Sequence, residues 1–222
     1  MDPTDIGIPC VLSAIPKLGD KISLTPESIP SYFLKRAASR VCFPLCLLFQ
    51  ASLSAGFLPK PWKSAIVLPL VKKPPAVEVA NYRRISLTSP VCKVLEFIVK
   101  QSLFDHFSSL NLLRFAQHGF RPGFSTLTQL LLTSADLIAA YNDRIQTDVV
   151  YIDFAKAFDV VCHRRLLQAY GVSGALLNWL AAYLIERSFR AKVGNAFSDE
   201  FPNLCGVPQG SVLGPFLFRF YQ

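Results

Sequence analysis

The sequence is most informative first in what it leaves out. Its six cysteines stand at 10, 42, 46, 92, 162 and 205, and no two form a CxxC pair. The three histidines, at 106, 118 and 163, lie far from one another and from the cysteines. That pattern excludes the usual structural zinc ligand sets and does not match a secreted disulfide scaffold. The start, MDPTDIGIPC, lacks the basic-then-apolar layout of a signal peptide. The cysteines are therefore expected to be reduced thiols of an intracellular protein, in cytoplasm or nucleus. A clean membrane span is also missing. The one long apolar run, Val41 to Pro59, is interrupted by Pro44, Gln50, two serines and Gly56, at the lower length limit for a span. It reads as a buried helix, and no membrane partner is expected. No internal repeat or low-complexity tract is visible, so solenoid architectures are out.

What remains is apolar and basic. Hydrophobic residues make up 51% of the 222-residue chain and mean hydropathy is +0.35, enough for a substantial core in one large domain or two small ones. The formal net charge of +8 points to polyanionic partners such as nucleic acid or nucleotides. The excess is concentrated. Between Lys60 and Lys100 there are eight Lys or Arg residues against only Glu78 and Glu96. Such a stretch is either an electrostatic footprint or a solvated face, and charge alone does not decide between them.

Residues 1–25 carry Pro, Gly and Asp without a period and read as a loose lead-in. Ser28 to Ala38 and Val41 to Ser54 read as two helices, the second ended by Gly56 and Pro59. Trp62 to Val71 is β-branched and apolar, hence a strand, and Pro74–Pro75 should turn the chain towards NYRR at 81–84. Pro90 to Phe107 places apolar residues at helical spacing behind a proline in the first turn. After the loop Gln117 to Phe124, Ser125 should cap a helix with Leu127, Leu130, Leu131, Ile138 and Tyr141 on one face. Asp148 to Phe154 (DVVYIDF) reads as a short strand, Ser173 to Glu186 as a helix, and Phe189 to Val193 with Glu200 to Leu204 as a hairpin. Val207 to Gly210 should turn, with a helix from Ser211 to Tyr221.

Two constellations carry chemistry. In Val149 to Asp159 (VVYIDFAKAFD) a strand ends in Asp153, small residues follow, and Phe158 lies five residues on. A carboxylate at a rigid strand end can hold a divalent cation against triphosphate oxygens. The turn behind it can offer amides to phosphate, and an aromatic just beyond can reject a 2′-hydroxyl by shape. The plain alternative is an aspartate that caps a helix. In Gly206 to Phe218 (GVPQGSVLGPFLF) a turn rich in Gly and Pro precedes an apolar helix, and Gln209 sits where backbone can approach a ligand closely. Alone, this second stretch is a turn and a core helix.

Taken in order, SIPSYFLKRA, the WK of WKSAIVLPLVKK, NYRRISLTS, QHGFRPGFST, YIDFAKAFDVV with His163 after it, and GVPQGSVLGP resemble the reverse transcriptases of non-LTR (LINE-like) retrotransposons. The resemblance runs from about Pro26 to the end. It implies an α+β fold, reverse-transcriptase fingers plus an incomplete palm built on an antiparallel sheet with packed helices. The expected division is a lead-in over 1–25, fingers over 26–145 and a partial palm over 146–222. It also implies RNA-directed DNA polymerase chemistry with RNA template, DNA primer, dNTPs and Mg²⁺. By motif position, Asp153 matches the first catalytic and metal-binding aspartate, and the Phe154 carbonyl a second metal contact. Phe158 matches the gate that selects deoxynucleotides, and Gln209 with Gly210 the contact to the nucleotide's sugar. Lys72, or Lys73 in its place, and Arg83 match the grip on the triphosphate. Arg121 and Ser125 match a template-contacting loop. His163 fits the pattern better as a structural cap than as a catalytic group.

The departures are equally definite. The family completes its metal site with an adjacent Asp–Asp pair, and none occurs in these 222 residues. Arg84 stands where Pro is usual, TPESIP replaces a Gly-Pro-Asp-Gly-like turn, and Cys205 replaces Ser. The stretch His163 to Gly171 is about one helical turn short. The expectation is a chain inactive alone, with an unfinished sheet edge prone to aggregation. The other readings are a nucleic-acid-binding remnant or a pseudogene product.

Overall fold

The computed structural model describes residues 6–20, 25–112, 116–153, 172–203, 206–208 and 210–219. The chain divides into two compact units, one formed by residues 1–104 and 158–222, the other by residues 105–157. Each is taken by itself below.

The first unit is built on a helical layer and a small sheet. Helix α1 (Ile8–Ala14) continues into a 3₁₀ turn at Ile15–Lys17. α2 (Ser31–Arg36) and α3 (Ala38–Ala55) follow, and the short α4 (Lys60–Lys63) leads directly into strand β1 (Ser64–Val71). α3 buries one stripe, Cys42, Leu45, Cys46, Phe49, Ser52 and Leu53, at the three- and four-residue spacing of a helix face. It ends on Gly56 in the left-handed region at φ 59°, where a Cβ would come within 2.8 Å of the Asn178 Cβ. Only glycine allows α3 to end so close to that residue. Two expectations change here. Residues 6–17 are no loose lead-in, because Ile6, Val11 and Ile15 are fully buried and the Ile6 carbonyl accepts from Cys46 Sγ (2.9 Å) and Gln50 Nε2 (2.8 Å) on α3. A seven-residue helix is too short to show a period. α3 is also not buried all round. It is long and apolar enough to cross a membrane, and Phe43, Leu47 and Leu48 on its other side are exposed.

The sheet runs β2–β1–β3–β4, with β2 at Tyr82–Thr88, β3 at Arg187–Val193 and β4 at Ala196–Phe197; β5 (Phe201–Asn203) pairs with β3. β1 and β2 form an antiparallel hairpin that sets Leu70 against Arg83 and Pro69 against Arg84. β1 also pairs with β3 in parallel, Ala65 against Phe189. The expected α+β fold is present, with a mixed rather than wholly antiparallel sheet. α5 (Pro90–Ser109) and α7 (Gly174–Leu184) supply the rest of the core. On α7, Leu176, Trp179, Leu180, Tyr183 and Leu184 are buried. Trp179 Nε1 donates to Ser52 Oγ at 3.0 Å, and Ser52 Oγ donates in turn to the Phe57 carbonyl at 2.6 Å.

The second unit contains α6 (Thr126–Asn142), begun by Ser125 as its N-cap. None of its residues is buried. Residues 148–153 belong to no helix or strand among the described residues, and the expected strand over Asp148 to Phe154 is not formed there. A strand exists only by pairing, and alternation in sequence cannot supply the neighbour.

Candidate functional site

The basic hairpin comes first. At its tip the Lys72 amide donates to the Asn81 carbonyl at 2.7 Å. The Asn81 side chain, buried, donates to the Pro75 carbonyl at 2.8 Å and to Glu78 Oε2 at 3.2 Å. Tyr82 adds a hydroxyl bond to the Ala76 carbonyl at 2.7 Å. A loop rich in Pro thus gets its shape from one buried amide, while Lys72 and Lys73 stay in solvent. Charges held there remain free to meet a polyanion.

On β2 the two arginines part company. Alternation puts Arg83 on one face and Arg84, with Ser86, on the other. Arg84 and Ser86 line a small cavity of about 40 Å³ together with Ala65, Val67, Arg187 and Pro208, room for about one water molecule. Arg83, the expected triphosphate contact, faces away from that cavity. Arg84 is the residue that sequence reasoning noted only as a departure, and only the register distinguishes the two.

The Gly-Pro-rich turn sits on this same face. Gly210 has φ 112° and a Cβ there would lie 2.5 Å from the Ser86 carbonyl oxygen of β2. No side chain fits. Ser211 Oγ donates to the Pro208 carbonyl at 2.8 Å and accepts from the Gly214 amide at 3.0 Å, which starts α8 (Leu213–Arg219). Behind the turn, Glu96 of α5 is fully buried, and its Oε2 accepts from the Val212 amide at 2.7 Å and the Leu213 amide at 3.0 Å. The Arg187 guanidinium, also buried, donates to the Tyr183 carbonyl (2.9 Å) and the Trp62 carbonyl (3.3 Å) and lies 4.9 Å above the Tyr183 ring. Burial pushes the Cys92 thiol and the Tyr183 hydroxyl well above their ordinary values, and Glu96 pushes them further while Arg187 opposes it. Neither Glu96 nor Arg187 was foreseen. A lone acid in a helix and a lone arginine opening a strand carry no local signal.

In the second unit, Ser125 Oγ accepts from the Thr128 amide (3.2 Å) and Thr128 Oγ1 from the Ser125 amide (2.9 Å), a reciprocal capping box. The expected cap is therefore real. His118 Nδ1 lies 2.8 Å from Thr128 Oγ1, and Arg121 stacks 4.2 Å over Phe124, so Arg121 and Ser125 share one small folded loop. Asp153 is exposed. No group of three His, Cys, Asp or Glu is close enough to hold a metal among the described residues. Phe154, Phe158, His163 and Gln209 lie outside the described residues. The structure thus brings together Lys72 with the hairpin that bears Arg83 and Arg84, and sets Gly210 against that hairpin.

A family model of reverse transcriptase (RNA-dependent DNA polymerase) matches residues 71–222. The chain belongs to the reverse transcriptase family. A probable RNA-directed DNA polymerase from transposon BS of Drosophila melanogaster is 33% identical over 95% of this chain and 24% of its own length. The same organism's probable RNA-directed DNA polymerase from transposon X-element is 31% identical over 85% of the chain and 21% of its own. Its RNA-directed DNA polymerase from mobile element jockey is 31% identical over 80% of the chain and 20% of its own. These relatives bear out the resemblance to non-LTR reverse transcriptases. The chain spans about a quarter of the length of the relatives it matches, and the reverse-transcriptase model takes in the hairpin tip, Asp153 and the Gly210 turn alike.

Proposed function

We propose that this chain is the fingers (26–145) and part of the palm (146–222) of an RNA-directed DNA polymerase that copies RNA into DNA from dNTPs. The observation that carries the reading is the closure of the Gly210 turn onto the Ser86 backbone of the lysine-tipped hairpin. In a reverse transcriptase these two segments serve the incoming nucleotide, Lys72 and Arg83 by its phosphates and Gln209–Gly210 by its sugar. Phe158 selects deoxynucleotides by shape, and Arg121 and Ser125 meet the template. Asp153 is the one carboxylate of the metal site that this sequence supplies. The described residues do not complete a site for Mg²⁺, and a clamp on both the attacking and the leaving oxygen needs further carboxylates. No chemical step is assigned to Asp153 alone.

Primer extension on an RNA template with Mg²⁺ and dNTPs should give no product with these 222 residues. Extending the chain with the downstream Asp–Asp segment of a relative should give product, and Asp153→Asn should then abolish it. An extended enzyme indifferent to that substitution ends the catalytic assignment. The second reading, a nucleic-acid-binding remnant, is favoured by the exposed Lys72, Lys73, Arg83 and Arg84. RNA affinity of this chain should then fall steeply with salt, because each neutralised phosphate releases counterions.

A further inference from the structure

Glu96 is a fully buried acid on an otherwise apolar face of α5, between Val91, Val94, Leu95, Ile98 and Val99. A carboxyl group in such a place is costly unless its bonds return the loss. Its Oε2 accepts from two amides at the start of α8, those of Val212 and Leu213, more than a hundred residues away. Those amides are the ones that a helix start leaves without internal partners, and an acid near them is favoured. Yet α8 already has a cap, Ser211, bonded to the Gly214 amide and the Pro208 carbonyl. Glu96 is therefore an addition to an adequate helix start. What it adds is a tie between the start of α8 and the core helix α5. Gly210 is pressed on the Ser86 carbonyl, and Glu96 holds the Val212 and Leu213 amides, so the stretch from Gly210 to Leu213 is tied at both ends.

We propose that Glu96 is a positioning residue for the incoming nucleotide: by holding the Val212 and Leu213 amides it fixes the backbone that follows Gly210. This rests on the reading that the turn touches the nucleotide. Glu96 itself touches no substrate and acts through the backbone it binds.

Amide hydrogen exchange of the 222-residue chain tests it, with and without Mg²⁺ and a mixture of the four dNTPs. Glu96→Gln keeps the size of the side chain and weakens its acceptor. Exchange at Val212 and Leu213 should accelerate roughly tenfold, and dNTP-dependent protection at Val207 to Gly210 should be lost, while β1 and α3 keep their rates. Unchanged exchange at Val212 and Leu213 overturns the proposal and leaves the polymerase reading intact. Faster exchange there with dNTP protection retained also overturns it, since Glu96 then serves the helix alone. Wild-type chain without any dNTP protection at the turn removes the nucleotide reading, and the proposal with it, although the cap stands. Glu96→Asp keeps the acid one methylene short and should show the same two changes in weaker form. Loss of β1 protection in both variants counts against the proposal, because Glu96 would then hold the core and not the turn.

Discussion

The two units of this chain make opposite use of apolar residues. In the first, Trp179, Tyr183 and Phe49 are shut away from solvent and Trp179 is tied to Ser52 by its indole N–H. In the second, α6 has a complete capping box and a full apolar face, yet Leu127, Leu130 and Leu131 are each more than 60% exposed. Caps and propensity start a helix, but tertiary burial is what makes it costly to lose. The comparison separates the part of the sequence that builds stability from the part that only forms local structure.

The sharpest way to break that contrast is to delete matching amounts of apolar surface in each unit. Trp179→Ala should lower the unfolding free energy by about 3–5 kcal/mol, whereas Leu130→Ala on α6 should change it by about 0.5 kcal/mol or less. Urea unfolding followed by far-UV circular dichroism reads both. Equal losses would mean that α6 is buried in solution and that the contrast fails. Next in size is Gly210→Ala. Positive φ and the Ser86 oxygen at 2.5 Å from the added Cβ leave no strain-free position, so the turn should lose about 1–3 kcal/mol, seen as faster amide exchange over 206–214. A silent substitution there would detach the turn from the hairpin.

Local chemistry was legible in the sequence, and non-local chemistry was not. The Ser125 cap, the Gly56 stop and the Pro90 helix start are decided by neighbours within four residues, and the structure has each where reading placed it. The β1–β3 parallel pair joins residues more than a hundred positions apart, beyond any periodic pattern. The same holds for Glu96 with Val212 and for Arg187 with the Trp62 carbonyl. α1 was missed because IPCVLSA is too short to declare a face. Arg83 against Arg84 is a subtler case. Motif position selects the first, and strand register sets the second beside the Gly210 turn. The β1–β2 hairpin and the turn at Gly210 were readable as segments, while the bonds that support them, from Asn81 and Glu96, were not.

Ser125→Ala sharpens the comparison from the second unit's side. Loss of the hydroxyl that accepts from Thr128 should cost α6 about 1 kcal/mol. Because α6 buries nothing, that cost should stay local. Amides over 126–142 should exchange faster while the unfolding midpoint of the first unit holds. A shift of both together would show that the cap supports more than its own helix.

The smallest effect belongs to Glu27, in the first unit, and depends on pH. Burial holds its carboxyl above the ordinary value, and the Ser89 hydroxyl offsets this only in part. The folded chain therefore binds that proton more tightly than the unfolded chain does. The sign follows from linkage: stability from this group is fully present below its unfolded value and is lost as pH rises through the raised folded value. Glu27→Gln cannot ionise and escapes the loss. The variant should melt slightly above the parent at neutral pH, and the two should converge below about pH 4, where the unfolded carboxyl is protonated as well. Thermal melts across that range give the difference directly. A variant that is less stable at neutral pH would show that the ionised carboxylate holds a favourable partner there and that burial is not the dominant influence.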